Sequence, residues 1–247
     1  MDLSENEYNI TPQFTVGAVI SQSFQVLFKN PLPFFGLTLI SLIIGIVISQ
    51  LSRLMFGNSP LASFISLLVT ISITQITNGT ISYAVFQGCI RLPISFGKSM
   101  SRVISCFASL IIVALVDFVC VVLGMILLLV PGIIAACVLS VAVPACVIER
   151  KGIASAIYRS SYLTKGHRLQ IFGVFSLATF IMLIFILIAT FIAVHIRHIH
   201  LPLAILFLCA MYILPMAFFN VIPAVLYYNL RTAKEGVAME SLSGVFD

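Results

Sequence analysis

Charged residues are scarce in this sequence of 247 residues: Asp, Glu, Lys and Arg together make up 9% of it, whereas 61% is hydrophobic. Soluble domains usually carry about a quarter charged residues. Several apolar runs are long enough to cross a bilayer as a helix, which takes about 20 residues. The composition therefore excludes an ordinary soluble domain and predicts a polytopic membrane protein.

Sheet edges and irregular backbone cannot face lipid, because their N–H and C=O groups would stay unpaired, so we predict an all-α fold. The chain is expected to form a single integral membrane domain: a segment with an amphipathic helix (1–33), the membrane helices (34–229) and a tail (230–247). A tight hairpin is expected at Val130-Pro131-Gly132. Six spans are predicted, at 34–52, 61–88, 104–130, 132–148, 169–194 and 202–229.

Motifs for catalysis are also missing from the sequence. It contains no nucleophile elbow, P-loop, HExxH or paired carboxylates, and its six cysteines form no CxxC pair. We therefore expect no enzyme activity, cofactor or metal site, and we interpret the cysteines as small packing residues. The start, MDLSENEYNITPQ, has no basic region before an apolar core, so a removable signal peptide is not expected.

Lys and Arg are divided unevenly between the two sets of connections. Eleven of the thirteen fall on one side, and only Arg53 and Arg197 fall on the other. Because basic loops stay in the cytoplasm, this predicts that both termini are cytoplasmic. Topology also explains the net charge of +5, so nucleic acid is not an expected partner. The eleven are Lys29, Arg91, Lys98, Arg102, Arg150, Lys151, Arg159, Lys165, Arg168, Arg231 and Lys234.

A weak repeat runs through the chain, and its unit is a short amphipathic helix followed by a transmembrane hairpin. The second helices end in Tyr83-Ala84-Val85-Phe86, Pro144-Ala145-Cys146-Val147 and Pro223-Ala224-Val225-Leu226. Two interpretations stay open: an internal triplication, or six helices that share a membrane composition.

The most basic segment, ERKGIASAIYRSSYLTKGHR, covers residues 149–168. A helix over 152–164 would place Ile153, Ala156, Ile157, Ser160, Leu163 and Thr164 on one face. Its basic residues are interpreted either as a topology anchor or as a surface for membrane lipids or a protein partner. The candidates for that surface are Arg150, Lys151, Arg159, Lys165 and Arg168.

The same region carries a family resemblance. Residues 127–175, with Pro131-Gly132, Pro144, Glu149, the spacing Ala156, Ser160, Leu163, and Lys165-Gly166, resemble the membrane-domain family fused to some bacterial glycerophosphodiester phosphodiesterases. They are also similar to the related small YciC-like inner-membrane proteins, and residues 14–30 resemble that family's N-terminal segment. The absence of Trp departs from the pattern.

The resemblance implies an accessory module of the bacterial inner membrane and supplies no catalysis. A phosphodiesterase of that class needs a separate soluble barrel with metal-binding carboxylates and histidines, and no stretch here is long or polar enough to build one.

Asp117 is the intramembrane residue that the sequence singles out, in the middle of the third span. A carboxylate at bilayer depth costs a few kcal/mol, so it is either a functional site or a neutral Asp hydrogen-bonded to a neighbouring helix. The second span could face it, because Ser63, Ser66, Thr70, Thr74 and Thr77 form a polar stripe beside Gln75, Asn78 and Ser82. Such a stripe either joins helices or lines a cavity. The candidate site comprises Asp117, Thr70, Thr74, Gln75 and Asn78.

The motif HIRHIH, at 195–200, places three imidazoles where a helix is expected to end before Pro202. We interpret it as an interfacial cap, with pH sensing or adventitious metal binding as alternatives.

Two functions follow from these observations. The first is a non-catalytic accessory or scaffold module that works through lipid or protein contacts. The second is a small transporter or lipid-handling permease with a polar path around Asp117.

Overall fold

The computed structural model describes residues 14–57, 59–89, 95–149, 152–197 and 200–235. Within these ranges the chain is helical and contains no strand, which confirms the predicted all-α class. Six segments are long and apolar enough to cross a membrane, so this is a multi-pass membrane protein. The helices are α1 (Val16–Lys29), α2 (Pro31–Phe56), α3 (Pro60–Cys89), α4 (Phe96–Ser105), α5 (Phe107–Leu127), α6 (Leu129–Leu139), α7 (Ala142–Glu149), α8 (Ile153–Thr164), α9 (Arg168–Arg197) and α10 (Leu201–Glu235).

One architectural unit occurs three times along the chain. A short helix (α1, α4 or α8) is followed each time by two long ones: α2 and α3, then α5 and the broken helix α6–α7, then α9 and α10. All three short helices lie at the same end of the bundle, which we call the capped end, and the opposite end is the loop end. The weak sequence repeat therefore corresponds to a repeated architecture.

The three units close into a ring. Helix α4 packs on α3 and α8 packs on α7, and α1 packs in the same way on α10, the last helix of the chain. At that closure, Asn229 Nδ2 donates a hydrogen bond to Gln22 Oε1 over 2.7 Å. The second long helices (α3, α7 and α10) contact one another inside the ring, and Ala84, Ala145 and Ala224, at matching positions of the repeat, are all buried.

Packing is concentrated towards the capped end. In α3, every buried residue except Ala62 lies at Thr77 or beyond, and the large buried side chains of α10 lie between Phe218 and Leu230. Outside the core, many large apolar side chains of the long helices are exposed, as expected for surfaces that face lipid. The long helices are consequently tied together at one end and less closely packed towards the other.

The hairpin between the third and fourth spans differs from the expectation. The break is at Leu128, and Pro131 and Gly132 lie in the first turn of α6, where a missing backbone N–H costs no helical hydrogen bond. The two helices approach closely through glycine: a Cβ added to Gly124 would come within 2.7 Å of the Gly132 Cα. The hairpin is therefore as tight as predicted but turns three residues earlier.

The other span boundaries shift by a few residues. The third span begins at Phe107 and not at 104, because Cys106 separates it from α4. The last span continues to Glu235 and contains Pro215 and Pro223 within its helix. The fourth span is interrupted at Ser140 and Val141, between α6 and α7. There Ser160 Oγ, on α8, donates a 2.6 Å hydrogen bond to the Val138 carbonyl, so a hydroxyl from the short helix satisfies the interrupted backbone.

Candidate intramembrane binding site

A large cavity lies among α3, α5, α6 and α9, and we call it the central cavity. Its volume is about 1040 Å³, within the range of sites that hold drug-sized molecules. Apolar side chains predominate, with a few polar groups between them. The polar lining consists of Thr70, Thr74, Gln75, Asp117, Ser140, Ser176 and Thr179.

Asp117 is the eleventh of 21 residues in α5 and lines the central cavity together with Gln75. Its carboxyl group makes no hydrogen bond or ion pair with any residue that the structure describes. Gln75 Oε1 is buried and likewise accepts no hydrogen bond within the described part of the chain. The Asp117 carboxyl group and Gln75 Oε1, on different helices, thus line one cavity, and neither accepts a hydrogen bond from a residue that the structure describes.

Two smaller cavities adjoin the central one at Thr74, which lines all three. One, of about 380 Å³, lies among α2, α3, α9 and α10 and includes Thr77 and Asn220. The other, of about 390 Å³, follows α2 and α3 towards Arg53 near the loop end. The cavity with Arg53 thus extends the polar lining from Thr74 towards the loop end.

The polar stripe of α3 serves both of the purposes that the sequence left open, at different positions. Near the loop end, Ser66 Oγ lies 2.6 Å from Ser52 Oγ of α2, which joins the two helices. At mid-depth, Thr70, Thr74 and Gln75 line the central cavity. Asn78 lies one turn further and does not line it, although its Oδ1 is buried and has no hydrogen-bond partner among the described residues. Four of the five predicted residues therefore meet at one cavity.

Helix α9 contributes a wall that the sequence analysis missed. Phe172, Phe175 and Phe180 line the central cavity with Ser176 and Thr179, and Phe118 of α5 adds a fourth ring. In the sequence, RLQIFGVFSLATFIML reads as an ordinary apolar span. The alternation of Phe with Ser and Thr was the available signal, but membrane helices use the same residues to pack against each other.

The basic segment forms the predicted helix, and its small face is the packed one. Ala156, Ser160, Leu163 and Thr164 of α8 are buried, whereas Ser155, Tyr158 and Tyr162 are exposed. Arg159, predicted to lie opposite the packed face, has acidic partners from two other helices. Its Nε is 2.6 Å from Glu149 Oε1 at the end of α7, and its Nη2 is 2.5 Å from Glu235 Oε1 at the end of α10.

Further contacts extend this ion pair into a network at the capped end. Tyr227 OH donates to Glu149 Oε1 over 2.7 Å, and Arg231 Nε lies 3.0 Å from Glu235 Oε2. Burial lowers the pKa of Arg159, but hydrogen bonds and charges from Glu149 and Glu235 outweigh it and hold that pKa above its ordinary value. Arg159 of α8 is therefore charged and joins α8 to α7 and α10 through its ion pairs.

The other candidates for a lipid or partner surface are placed differently. Lys165 and Arg168 are exposed, on either side of Gly166, whose φ of +91° makes the turn from α8 into α9. Arg150 and Lys151 lie outside the described residues. Of the described candidates, Lys165 and Arg168 are thus the two whose side chains are open to the surroundings.

Within the HIRHIH motif, the His195 ring packs against the Phe191 ring at a tilt of 50° with centroids 4.6 Å apart, and His195 Nδ1 is 2.9 Å from the Phe191 carbonyl. His195 therefore contacts the last turns of its own helix, and His198 lies outside the described residues. Among the described residues, no group of three or more His, Cys, Asp or Glu side chains could hold a metal ion. All six cysteines are free thiols.

Comparison with known protein families, curated protein sequences and solved structures finds no match to this chain.

Proposed function

We propose that this protein is a small permease or lipid-handling protein, which takes an amphiphilic molecule from the bilayer into its central cavity. The observation that carries the proposal is a cavity of about 1040 Å³ among membrane-spanning helices, with the Asp117 carboxyl on its wall. A carboxyl group at this depth is costly to insert, and such residues mark substrate or ion pathways. The apolar lining suits a hydrocarbon chain, and the few polar groups suit the head of an amphiphile.

The uneven packing of the bundle supports movement of such a molecule. The capped end is held together by buried side chains and by the Arg159 network, whereas three adjoining cavities lie between the long helices. Because the two ends are packed differently, the capped end can hold the fold while the helices change their separation towards the loop end. The cavity that contains Arg53 leads from Thr74 towards the loop end, which gives the amphiphile a direction of travel.

The chain contains no Trp, which permits a direct binding test. The variant Phe175→Trp places a single fluorophore on the cavity wall, and Phe64→Trp, at an exposed position outside the cavity, serves as the matched control. We expect a bromine-tipped undecanol to quench the Phe175→Trp emission saturably in lipid nanodiscs. Quenching of Phe64→Trp should rise only in proportion to the probe in the bilayer. Equal, non-saturable quenching of both would contradict the proposal.

A cellular test separates the permease from a passive module. If Asp117→Asn and Asp117→Leu fold normally and abolish the phenotype that distinguishes the wild type from a deletion strain, the cavity is functional. If both variants fold and support every such phenotype, transport through this site is wrong. Thr190→Val, on α9 outside the cavity, is the control for loss of a polar group in a span, since Thr190 bonds only to its own helix at Ile186.

We further propose that the membrane is the bacterial inner membrane and that the capped end faces the cytoplasm. The support is the concentration of Lys and Arg at this end, with Arg53 and Arg197 at the other. A reporter that is active only in the cytoplasm, fused to the C-terminus, tests the orientation. Activity of a periplasmic reporter at the same position would reverse it.

A second candidate is the non-catalytic accessory module that the family resemblance implies, with α8 as its contact surface. One observation favours it: Tyr158 of α8 is exposed, and so are Lys165 and Leu169 at the turn from α8 into α9. Aromatic, apolar and basic groups in this combination suit a membrane interface with anionic headgroups. Neutralising Lys165 and Arg168 while topology is retained should abolish function if this surface is the active one, and should not do so if the cavity is.

A further inference from the structure

We propose that the ligand of the central cavity is a lipophilic ammonium ion, that is, an apolar chain or ring system carrying a protonated amine. This rests on the proposed function and names its substrate class. The ammonium N–H groups would donate hydrogen bonds to the Asp117 carboxyl group and to Gln75 Oε1. The apolar part would lie among the phenylalanine rings of α5 and α9.

The first argument is the excess of hydrogen-bond acceptors. Asp117 has no donor or cation among the described residues, Gln75 Oε1 is buried without a donor there, and no hydrogen bond joins the two. Buried polar groups in proteins are nearly always paired, so this arrangement has room for a donor that the protein does not supply. An ammonium group provides up to three N–H donors and the charge opposite to a carboxylate.

The second argument is the sign of the charge. The described residues that line the central cavity include no Lys, Arg or His. A phosphate or carboxylate head would find no cation there and would face the Asp117 carboxyl group, which disfavours it. A neutral head is compatible with Asp117 only in its protonated form, because it would leave a carboxylate without a counter-ion at bilayer depth. Of the three possible head charges, only the positive one is complementary to an ionised Asp117.

The third argument is the aromatic wall. Four phenylalanine rings line the same cavity as Asp117: Phe118 of α5, and Phe172, Phe175 and Phe180 of α9. Phenyl faces attract cations when water is excluded, by about 2 kcal/mol at desolvated sites, and they also accept apolar chains. The volume of about 1040 Å³ accommodates an amine of drug size without displacing a helix.

The test compares three probes of equal length on the Phe175→Trp protein in nanodiscs: bromine-tipped undecylamine, undecanol and undecanoate. We expect the amine to quench saturably with an apparent Kd at least tenfold below that of the alcohol, and the undecanoate to bind most weakly. Asp117→Asn in the same background should bring the amine and the alcohol within about twofold of each other. Gln75→Leu should weaken amine binding less than Asp117→Asn does, because it removes an acceptor but no charge.

The outcomes separate this inference from the function on which it rests. Saturable binding of all three probes with similar Kd values would overturn the ammonium preference and leave the amphiphile cavity intact. No saturable binding of any probe would contradict both. Because the comparison of probes needs only the Phe175→Trp protein, it decides the question even if Asp117→Asn does not fold. If Asp117→Asn folds and keeps the full preference for the amine, Asp117 is not the group that recognises it.

Discussion

Arg159 Nε and Glu149 Oε1 lie 2.6 Å apart, which joins the middle of α8 to the end of α7, and the same guanidinium reaches Glu235 at the end of α10. The side chains of Arg159, Glu149 and Glu235 are only 17%, 8% and 23% exposed, so water compensates little for the loss of one partner. This cluster fixes the second and third units of the ring to each other at the capped end.

Replacement of Arg159 by Ala should destabilise the protein by about 2 kcal/mol, since it leaves two carboxylates close together without their shared cation. Breaking a fully buried ion pair costs about 3 to 5 kcal/mol, and the partial exposure here reduces that figure. The measurement is thermal or denaturant-induced unfolding in detergent. Arg168→Ala removes the same charge from an exposed site and should change stability by less than about 0.5 kcal/mol. Equal losses from the two variants would show that the network contributes nothing specific.

Gly124 and Gly132 define a second test, at the hairpin between α5 and α6. A Cβ on Gly124 would lie 2.7 Å from the Gly132 Cα and 2.8 Å from its backbone nitrogen, neither of which can rotate away. We expect Gly124→Ala to cost about 1 to 3 kcal/mol, as overpacking does in other close contacts. Gly36→Ala is the control, because a Cβ on Gly36 of α2 meets nothing within 4 Å. That variant should be neutral or slightly stabilising, given the better helix propensity of Ala. If Gly124→Ala leaves the stability unchanged, the two helices of the hairpin must lie further apart at these glycines than the 2.7 Å contact requires.

The α8 region shows which features a sequence can predict. The wheel over 152–164 identified the packed face correctly, because helical periodicity is a local property and Ala156, Ser160 and Thr164 recur at its spacing. The ion-pair partners of Arg159 could not be found in the same way. Glu149 belongs to the preceding unit, and Glu235 is brought to Arg159 only by the packing of α10 against α8. Arg159, which the sequence alone suggests is part of an exposed basic surface, therefore joins helices through its ion pairs.

The central cavity shows which features a sequence leaves undecided. Asp117 and the α3 stripe could be singled out because polar residues are conspicuous in apolar helices, but their spacing is equally compatible with helix contacts and with a cavity lining. Ser66 and Thr70 are four residues apart on one face, yet Ser66 bonds to α2 and Thr70 faces the cavity. The difference depends on which helices lie beside each position, and the helices that enclose the cavity with α3, namely α5, α6 and α9, are far from the stripe in the sequence.

Ser160 provides a third test, of the break in the fourth span. Its hydroxyl donates to the Val138 carbonyl over 2.6 Å, where α6 ends before Ser140 and Val141. Ser160→Ala leaves that carbonyl without its side-chain donor in an apolar environment, and we expect a loss of about 1 to 2 kcal/mol. Ser155→Ala, on the exposed face of the same helix, should have almost no effect. If both variants unfold at the same temperature, the hydrogen bond does not support the break.

Gln22 and Asn229 provide the last test, which concerns the closure of the ring. Asn229 Nδ2 donates to Gln22 Oε1 and to the Val225 carbonyl, and both residues are buried between the first and last units. We expect Gln22→Ala and Asn229→Ala each to cost about 1 to 3 kcal/mol, because each leaves a buried polar partner. The double variant should lose at least about 0.5 kcal/mol less than the sum of the single variants, since the second substitution removes a group that has already lost its partner. Additive losses would show that the two side chains act independently. In that case the contact of α1 with α10 would depend on apolar packing, such as that of Phe24 on Phe218, whose ring centroids are 4.2 Å apart.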